Sequence, residues 1–422
     1  MKVLWVTNTI FPDLAKSINK NTPVVGGWMY GLAKDLARLD NIELTVATTK
    51  DAFNDYNTEI GNINYYLLKG INPITKYYDK SLNTKWFKLI KEVKPDIVHI
   101  HGTEYAQGLS LMKTCPNLNY VISIQGLTSI CSRYYNAGIS YKEILRTITF
   151  RDIFKRQSIL NEKKDFWKRG EKVEKEYIIR SSHIIGRTDW DKSHVKMINP
   201  NCTYHFCNES LRDSFYESRK WDITKVQKET IFLSQAGKPL KGLHKVLEAL
   251  YLLKDEFPNL KLRVAGADII GDNTIKSKIK ISGYGKYIKS LLNKFDLMDR
   301  VTFTGSLNEK QMILEYLNCN IFICPSSIEN SPNSLGEAQL LGVPAIASYV
   351  GGVSNMISHG KTGMIYRFEE VEMLAQHIKS VFLTSELALD LSKESIIEAS
   401  KRHNRRTNLN QLMNIYRNIV NH

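Results

Sequence analysis

Ile321-Phe-Ile-Cys-Pro-Ser-Ser-Ile-Glu-Asn-Ser-Pro-Asn-Ser-Leu-Gly-Glu337 leaves a short apolar strand, crosses a polar loop and enters a helix near Ser334. A helix that starts directly after a strand is an anion site, because its first amides are unpaired and the helix dipole favours negative charge there. Asn333 and Ser334 would offer those amides. Glu329 lies in the loop and Glu337 about one helical turn inside, so both carboxylates can face one ligand whose phosphates sit between them. Carboxylates suit sugar and ribose hydroxyls as paired acceptors. The plainer alternative is that Glu337 is an ordinary first-turn acid and Glu329 a solvated loop charge.

The same strand-loop-helix step recurs on either side. Apolar runs at Ile231–Ala236, Leu262–Gly266, Val301–Gly305, Ile321–Pro325 and Ala345–Val350 alternate with helical patterns from Gly242, after Tyr284 and from Ser334. A first series runs through Val3–Thr7, a helix from Gly27, Glu43–Ala47, a helix around Lys85–Val93, Ile97–His101, Val121–Gln125 and Ile184–Thr188. Strict alternation predicts parallel sheets with helices on both faces. The fold class is therefore α/β, with two doubly wound, Rossmann-like domains facing across a cleft. The boundaries expected are 1–208 for a first domain, 209–227 for a linker, 228–400 for a second domain and 401–422 for a final helix crossing back to the first. Ligands in such sheets bind beyond the carboxyl ends of the strands.

Length and composition agree with this division. The 422 residues exceed what one core usually serves, and 43% hydrophobic with 24% charged residues is an ordinary globular balance. A net charge of +15 implies attraction to something anionic without choosing it. The six cysteines show no Cys-x-x-Cys and no His or Cys partners at zinc-like spacing, so they read as reduced thiols in the cytosol and no metal is expected. The opening Met1–Asn8 is too short and too soon polar for a signal peptide, and no stretch is long and apolar enough for a membrane span. A cytoplasmic chain is expected, touching a membrane only peripherally. Asp189-Trp-Asp191 reads as helix capping.

With Glu329-x7-Glu337 in place, the surrounding words follow in a fixed order: Phe303-Thr-Gly-Ser-Leu307, Cys324-Pro-Ser-Ser, Glu337-Ala-Gln-Leu-Leu-Gly-Val-Pro344, Val350-Gly-Gly352 and Gly360-Lys-Thr-Gly363. On these the chain resembles the family 4 glycosyltransferases, which retain anomeric configuration on a GT-B fold. The resemblance is strong over 231–366 and weaker upstream. It implies that Glu329 contacts the donor sugar near the reacting carbon and that Glu337 holds the ribose hydroxyls. Lys241, in Ser234-Gln-Ala-Gly-Lys-Pro-Leu-Lys-Gly242, would neutralise the departing diphosphate. Gly27, Lys238, Leu307, Asn333 and Ser334 join the donor side. The family's usual glycine is replaced by Pro332, which has no N–H to donate, and Gln235 and Ala236 occupy the region where relatives place an arginine before the Lys-Gly pair. Lys238 and Arg187 are two candidates for the missing cation.

On the acceptor side the resemblance points to Gly26 in Pro23-Val-Val-Gly-Gly27, whose lack of a side chain lets backbone approach a ligand, and to His101 and Arg187. Relatives often carry a histidine where this chain has Gln125, in Ser123-Ile-Gln-Gly126. Glutamine can orient a hydroxyl but cannot take its proton, which suits a front-face mechanism in which the leaving phosphate accepts it. His99 reads as a core histidine. The stretch Arg133–Arg180 carries 13 Lys or Arg against 7 Asp or Glu, with Ile144, Leu145, Ile148, Phe150, Ile153 and Phe154 among them. It suits either an anionic membrane surface or core packing behind a basic face.

The function implied is retaining hexosyl or N-acetylhexosaminyl transfer to a glycan or polyprenyl-linked acceptor, in polysaccharide assembly of the bacterial surface type. The donor is a nucleoside-diphosphate sugar, with uridine favoured over guanosine. No cofactor and no nucleic acid are expected, since no nucleic-acid-binding motif is legible. Alternatives on the same plan are a nucleotide-sugar epimerase, a phosphorylase, or a non-catalytic glycan- or nucleotide-binding partner.

Overall fold

The structure is a computed structural model that describes residues 1–20, 27–50, 53–70, 78, 80–272, 274 and 279–421. Contacts divide the chain into two units: Met1–Ile130 with Trp167–Arg212 and His403–His422, and Cys131–Phe166 with Asp213–Arg402.

The first unit is built on eight strands: β1 (Lys2–Thr7), β2 (Glu43–Lys50), β3 (Tyr56–Ile60), β4 (Ile63–Lys69), β5 (Ile97–His101), β6 (Tyr120–Ser123), β7 (His183–Gly186) and β8 (Thr203–Phe206). They lie in the order β3-β4-β2-β1-β5-β6-β7-β8. All neighbours pair in parallel except β3 and β4, which form an antiparallel hairpin closed at Gly61 and Asn62. Gly61 holds φ +59°, the left-handed conformation that such a tight turn requires. The central strands are buried along nearly their whole length because helices cover both faces. One face packs Trp5, Leu32, Leu36 and Tyr65 against Leu412, Met413 and Tyr416 of the helix Arg405–Val420. The other packs Leu4, Trp86, Leu109 and Tyr177. Thus the last helix completes the core of the first unit.

The second unit has six parallel strands: β9 (Thr230–Leu233), β10 (Lys261–Val264), β11 (Val301–Phe303), β12 (Ile321–Cys324), β13 (Ala345–Ser348) and β14 (Met364–Tyr366), in the order β11-β10-β9-β12-β13-β14. In both sheets the chain reverses its direction of winding beside the first strand, between β1 and β5 and between β9 and β12. These switch points leave a crevice at the carboxyl ends of the strands.

The strands read from the sequence all occur, while β3, β4, β8 and β14 were not anticipated. Two boundaries differ from expectation. Residues 209–227 form no separate linker: Arg212 closes the first unit, and Trp221 is already buried in the second, its Nε1 donating to Cys319 O at 2.8 Å. The basic stretch is also divided, with Cys131–Phe166 in the second unit and Trp167 onward in the first. Its front part folds as two short helices, Tyr141–Thr147 and Phe150–Lys155, because Thr149 starts the second with a capping box to Asp152.

Asp152 explains why these helices join the second unit. Its buried carboxylate accepts the backbone N–H of Gly283, at the start of the helix Gly283–Phe295. Burial holds the carboxyl above its ordinary pKa even so. The close approach needs a glycine, since a Cβ on Gly283 would lie 2.5 Å from Asp152 Oδ2.

Buried polar groups pin the first unit just as firmly. His99 is bonded at Nδ1 to Tyr416 Oη and at Nε2 to Ser123 Oγ, both at 2.6 Å, and Trp5 Nε1 donates to Tyr416 Oη at 2.9 Å. Burial keeps His99 neutral, as a structural histidine should be. Replacing Tyr416 by Phe strands two buried ring nitrogens, and should lower stability by about 1–3 kcal/mol in urea unfolding.

Candidate functional site

In the second unit the loops after β9 and β12 meet at the switch point. A 3-10 turn, Pro239–Lys241, follows β9, and Ser327 N donates to Leu240 O at 2.8 Å, tying it to the loop after β12. Gly242 makes this possible: it sits at φ +69°, and a Cβ there would lie 1.7 Å from Pro325 O. On the far side Gly352 N donates to Glu329 O at 3.0 Å, and a Cβ on Gly351 would lie 1.8 Å from that same oxygen. Gly242 and Gly351 therefore each have a steric reason.

Between these clamps Lys241 Nζ lies 2.5 Å from Glu329 Oε1, which also accepts Ser326 Oγ at 2.7 Å. Burial alone would lower the lysine pKa; the Glu329 carboxylate beside it outweighs that and holds it above the ordinary value. Sequence reading names both residues but not that they touch. The helix Asn333–Leu341 starts directly beyond, with Pro332 as its cap and no side-chain cap bond. Pro332 therefore lies outside the helix, its carbonyl accepting from Leu335 N and Gly336 N, and the helical amides begin at Asn333. Glu337 is buried in the first turns of this helix, 5% exposed. Ser334 lends its carbonyl to Tyr316 Oη at 2.9 Å. Leu307 is partly buried in the loop after β11.

Lys238 has a different setting. Its Nζ pairs with Glu162 at 3.2 Å and lies over the Phe166 ring. It lines a cavity of about 410 Å³ with Arg151, Asp268, Lys280 and Ser282, which includes neither Glu329 nor Glu337. In the region where relatives place the arginine, Ala236 is buried.

The remaining expected residues lie in the first unit. Gly27 opens the helix Gly27–Ala37, where a Cβ would press on Arg212 Cδ at 3.1 Å; Gly26 lies outside the described residues. Arg187 was a candidate for a phosphate cation, but it is buried within its own unit. Its guanidinium meets Glu209 and donates to Ile124 O at 2.9 Å and Gln125 O at 3.2 Å. It acts there as a clamp on the loop carrying Gln125, whose side-chain amide reaches Met29 Sδ at 3.8 Å. The helix Asp189–Ile198 is capped not by either aspartate but by Thr188, whose Oγ1 accepts Asp191 N at 3.1 Å, while Asp191 in its first turn accepts Arg187 N at 3.1 Å.

His101, at the end of β5, is buried and stacks on His99 at 3.9 Å and on Trp5 at 4.3 Å. Burial, then the nearby Arg187 charge, pushes its pKa down to about 3. Its ring nitrogens find no hydrogen bond among the described residues. They line a cavity of about 20 Å³ with Arg187, Glu209 and Asn208, room for about one water.

Sequence reading missed Glu104. It follows β5, accepts the backbone N–H of Gly126, and lies beside Gly102 and Gln125. Its Oε2 is buried and has no partner among the described residues. Burial, with the Glu174 carboxylate adding and Arg169 opposing, lifts its pKa from 4.5 to about 7. Between those values the folded chain binds a proton that the unfolded chain has released, so this group's contribution to stability falls as pH rises through that window. Glu104→Gln should flatten that fall: the melting-temperature gap between wild type and variant should shift in the variant's favour from pH 5 to pH 8.

Residues 216–397 match the family described as glycosyl transferases group 1. Spore coat protein SA of Bacillus subtilis is 28% identical over 194 residues, 45% of this chain and 48% of that protein. The match thus spans about half the length of that curated relative. Among solved structures, sucrose-phosphate synthase from Thermosynechococcus elongatus superposes with a TM-score of 0.71 over 99% of this chain and 98% of that one, at 16% identity. Anabaena HepE, solved in complex with UDP-glucose, gives 0.63 over 98% and 99% at 14% identity. These likenesses bear out the GT-B fold with its two parallel-sheet α/β domains. The family likeness thus rests on residues 216–397, the part of the chain that is similar to the glycosyl transferases group 1.

Proposed function

We propose that this chain is a retaining glycosyltransferase that moves a sugar from a nucleoside-diphosphate sugar to a glycan or polyprenyl-linked acceptor, in surface polysaccharide assembly. The observation that carries the reading is the Lys241–Glu329 pair, set at the switch point of the second sheet beside the start of the helix Asn333–Leu341. An ammonium and a helix terminus together suit a diphosphate. A carboxylate beside them suits the hydroxyls of the sugar that the diphosphate carries. UDP is favoured as the carrier, a choice supported by the UDP-glucose complex of Anabaena HepE.

In this reading Lys241 exchanges part of its contact with Glu329 for phosphate oxygens as donor binds, and Glu329 turns to the transferred sugar. Glu337 takes the ribose hydroxyls. As the bond to the anomeric carbon breaks, negative charge grows on the leaving diphosphate, where Lys241 and the amides of Asn333 and Ser334 stabilise it. That phosphate accepts the proton of the acceptor hydroxyl on the face it has just left, so configuration is retained. Gln125 orients the hydroxyl, and Lys238 adds positive charge beside the donor loop. The phosphate charge is met by the protein itself, without a metal ion. A lipid-linked acceptor would place the enzyme at an anionic membrane surface on its cytoplasmic side.

Calorimetry or thermal shift with a panel of nucleotide sugars tests the donor. The right one at about 100 times its dissociation constant should stabilise the chain by about 2.7 kcal/mol; no response to any of them would sink the reading. Glu329→Ala should abolish transfer while leaving the melting temperature within a few degrees of wild type. Transfer should also proceed at an unchanged rate after dialysis against EDTA, and a loss restored by a divalent cation would reject the metal-free scheme.

A further inference from the structure

The sequence leaves the basic stretch between two roles, and the structure separates them. Of the apolar residues along it, Ile144 turns inward at 2% exposure, while Tyr141 (61%), Leu145 (59%), Phe150 (68%), Ile153 (69%) and Phe154 (77%) face solvent. The inward side is committed: Asp152 holds the helix start at Gly283, and Lys286 Nζ reaches Arg146 O at 3.3 Å. Neither helix can roll its apolar side into the unit without losing these contacts. The spacing explains the pattern, since 141 and 145, and 150, 153 and 154, each share one side of a helix.

We propose that the outward sides of the helices Tyr141–Thr147 and Phe150–Lys155 form a docking surface for an anionic lipid bilayer. The apolar residues are ringed by exposed Lys142, Arg146, Lys155 and Arg156, with Lys163 over the Tyr141 ring at 5.9 Å. Among the nearby acids, Asp152 is buried, and Glu143 is drawn to Arg146 at 3.8 Å. Aliphatic and aromatic side chains set among cations match a layer in which hydrocarbon lies just beneath phosphate. The stacked Phe150 and Phe154 rings, with centroids 6.1 Å apart, form a compact wedge for that boundary.

Other occupants fit less well. A second copy docked face to face would set the same four cations against themselves. Nucleic acid would meet the cations but offers no hydrocarbon layer for Leu145 and Ile153. The surface rests on the reading above only for its purpose, which is to bring the donor-binding unit to a lipid-linked acceptor.

Vesicle co-flotation of the full chain tests it, using phosphatidylcholine alone and phosphatidylcholine with about one third phosphatidylglycerol. Wild type should float with the anionic vesicles, less so as salt rises, and should not float with the neutral ones. Combining Phe150→Ser, Ile153→Ser and Phe154→Ser should lower binding about tenfold or more. Combining Arg146→Gln, Lys155→Gln and Arg156→Gln should weaken it and flatten its salt dependence. Both variants should keep the wild-type melting temperature and response to UDP-glucose, which shows that fold and donor site are intact. If UDP-glucose and other nucleotide sugars fail to stabilise even wild type, the donor reading falls while the vesicle result still stands. Wild type that ignores anionic vesicles, or variants that float equally well, would overturn the proposal. So would a concentration-dependent dimer lost in the serine variant without vesicle binding, which would give the surface to a second copy.

Discussion

Everything distinctive about the second unit converges on one ion pair, Lys241 with Glu329, held between loops that come from strands adjacent in the sheet but far apart in the chain. Ser327 N reaches Leu240 O on one side of the pair, where Gly242 lets backbone come close to Pro325 O, and Gly351 does the same beside Glu329 O on the other. Opposite charges 2.5 Å apart at a partly buried site neutralise each other until something better arrives. Under the proposed function, a ligand bearing both phosphate and hydroxyl groups would suit each partner better, and the resting pair would stand in for it. The helix beginning at Asn333 adds a fixed positive end that needs no rearrangement.

The first unit applies the same economy to a different end. Arg187 is spent on holding Glu209 and the carbonyls of Ile124 and Gln125, so it serves the shape of the loops beyond β6 and β7. His101 and Glu104 differ from it, because each carries buried polar atoms that the described residues leave without hydrogen bonds. Burial drives their pKa values in opposite senses, and each is thereby favoured in its neutral form. Two neutral, hydrogen-bonding groups suit a hydroxylated ligand better than an ionic one.

Much of this was legible in the sequence, and for a physical reason. Strands buried on both faces leave apolar runs that cannot be mistaken for loops, so the central strands of both sheets could be read directly, together with the acids and lysines at their ends. The hairpin of β3 and β4 was also written there, in Gly61-Asn62 and the alternation of Ile63, Tyr65 and Leu67, but an antiparallel pair at a sheet edge runs against the dominant rhythm. What the sequence could not show was partnership. Nothing local says that Arg187 belongs to Glu209, that Lys238 belongs to Glu162, or that Asp152 caps a helix more than a hundred residues later. Glu104 looks like any loop acid until its surroundings are seen.

The closing of the first core by Tyr416 has a consequence for biosynthesis. Trp5 and His99 leave the ribosome early, yet the hydroxyl that satisfies them follows only after the whole of residues 213–402 has been made. At translation speeds of about 5–20 residues per second, the nascent first unit waits many seconds with a bare apolar face where the helix Arg405–Val420 will lie. The second unit can complete itself first, although it is later in the chain.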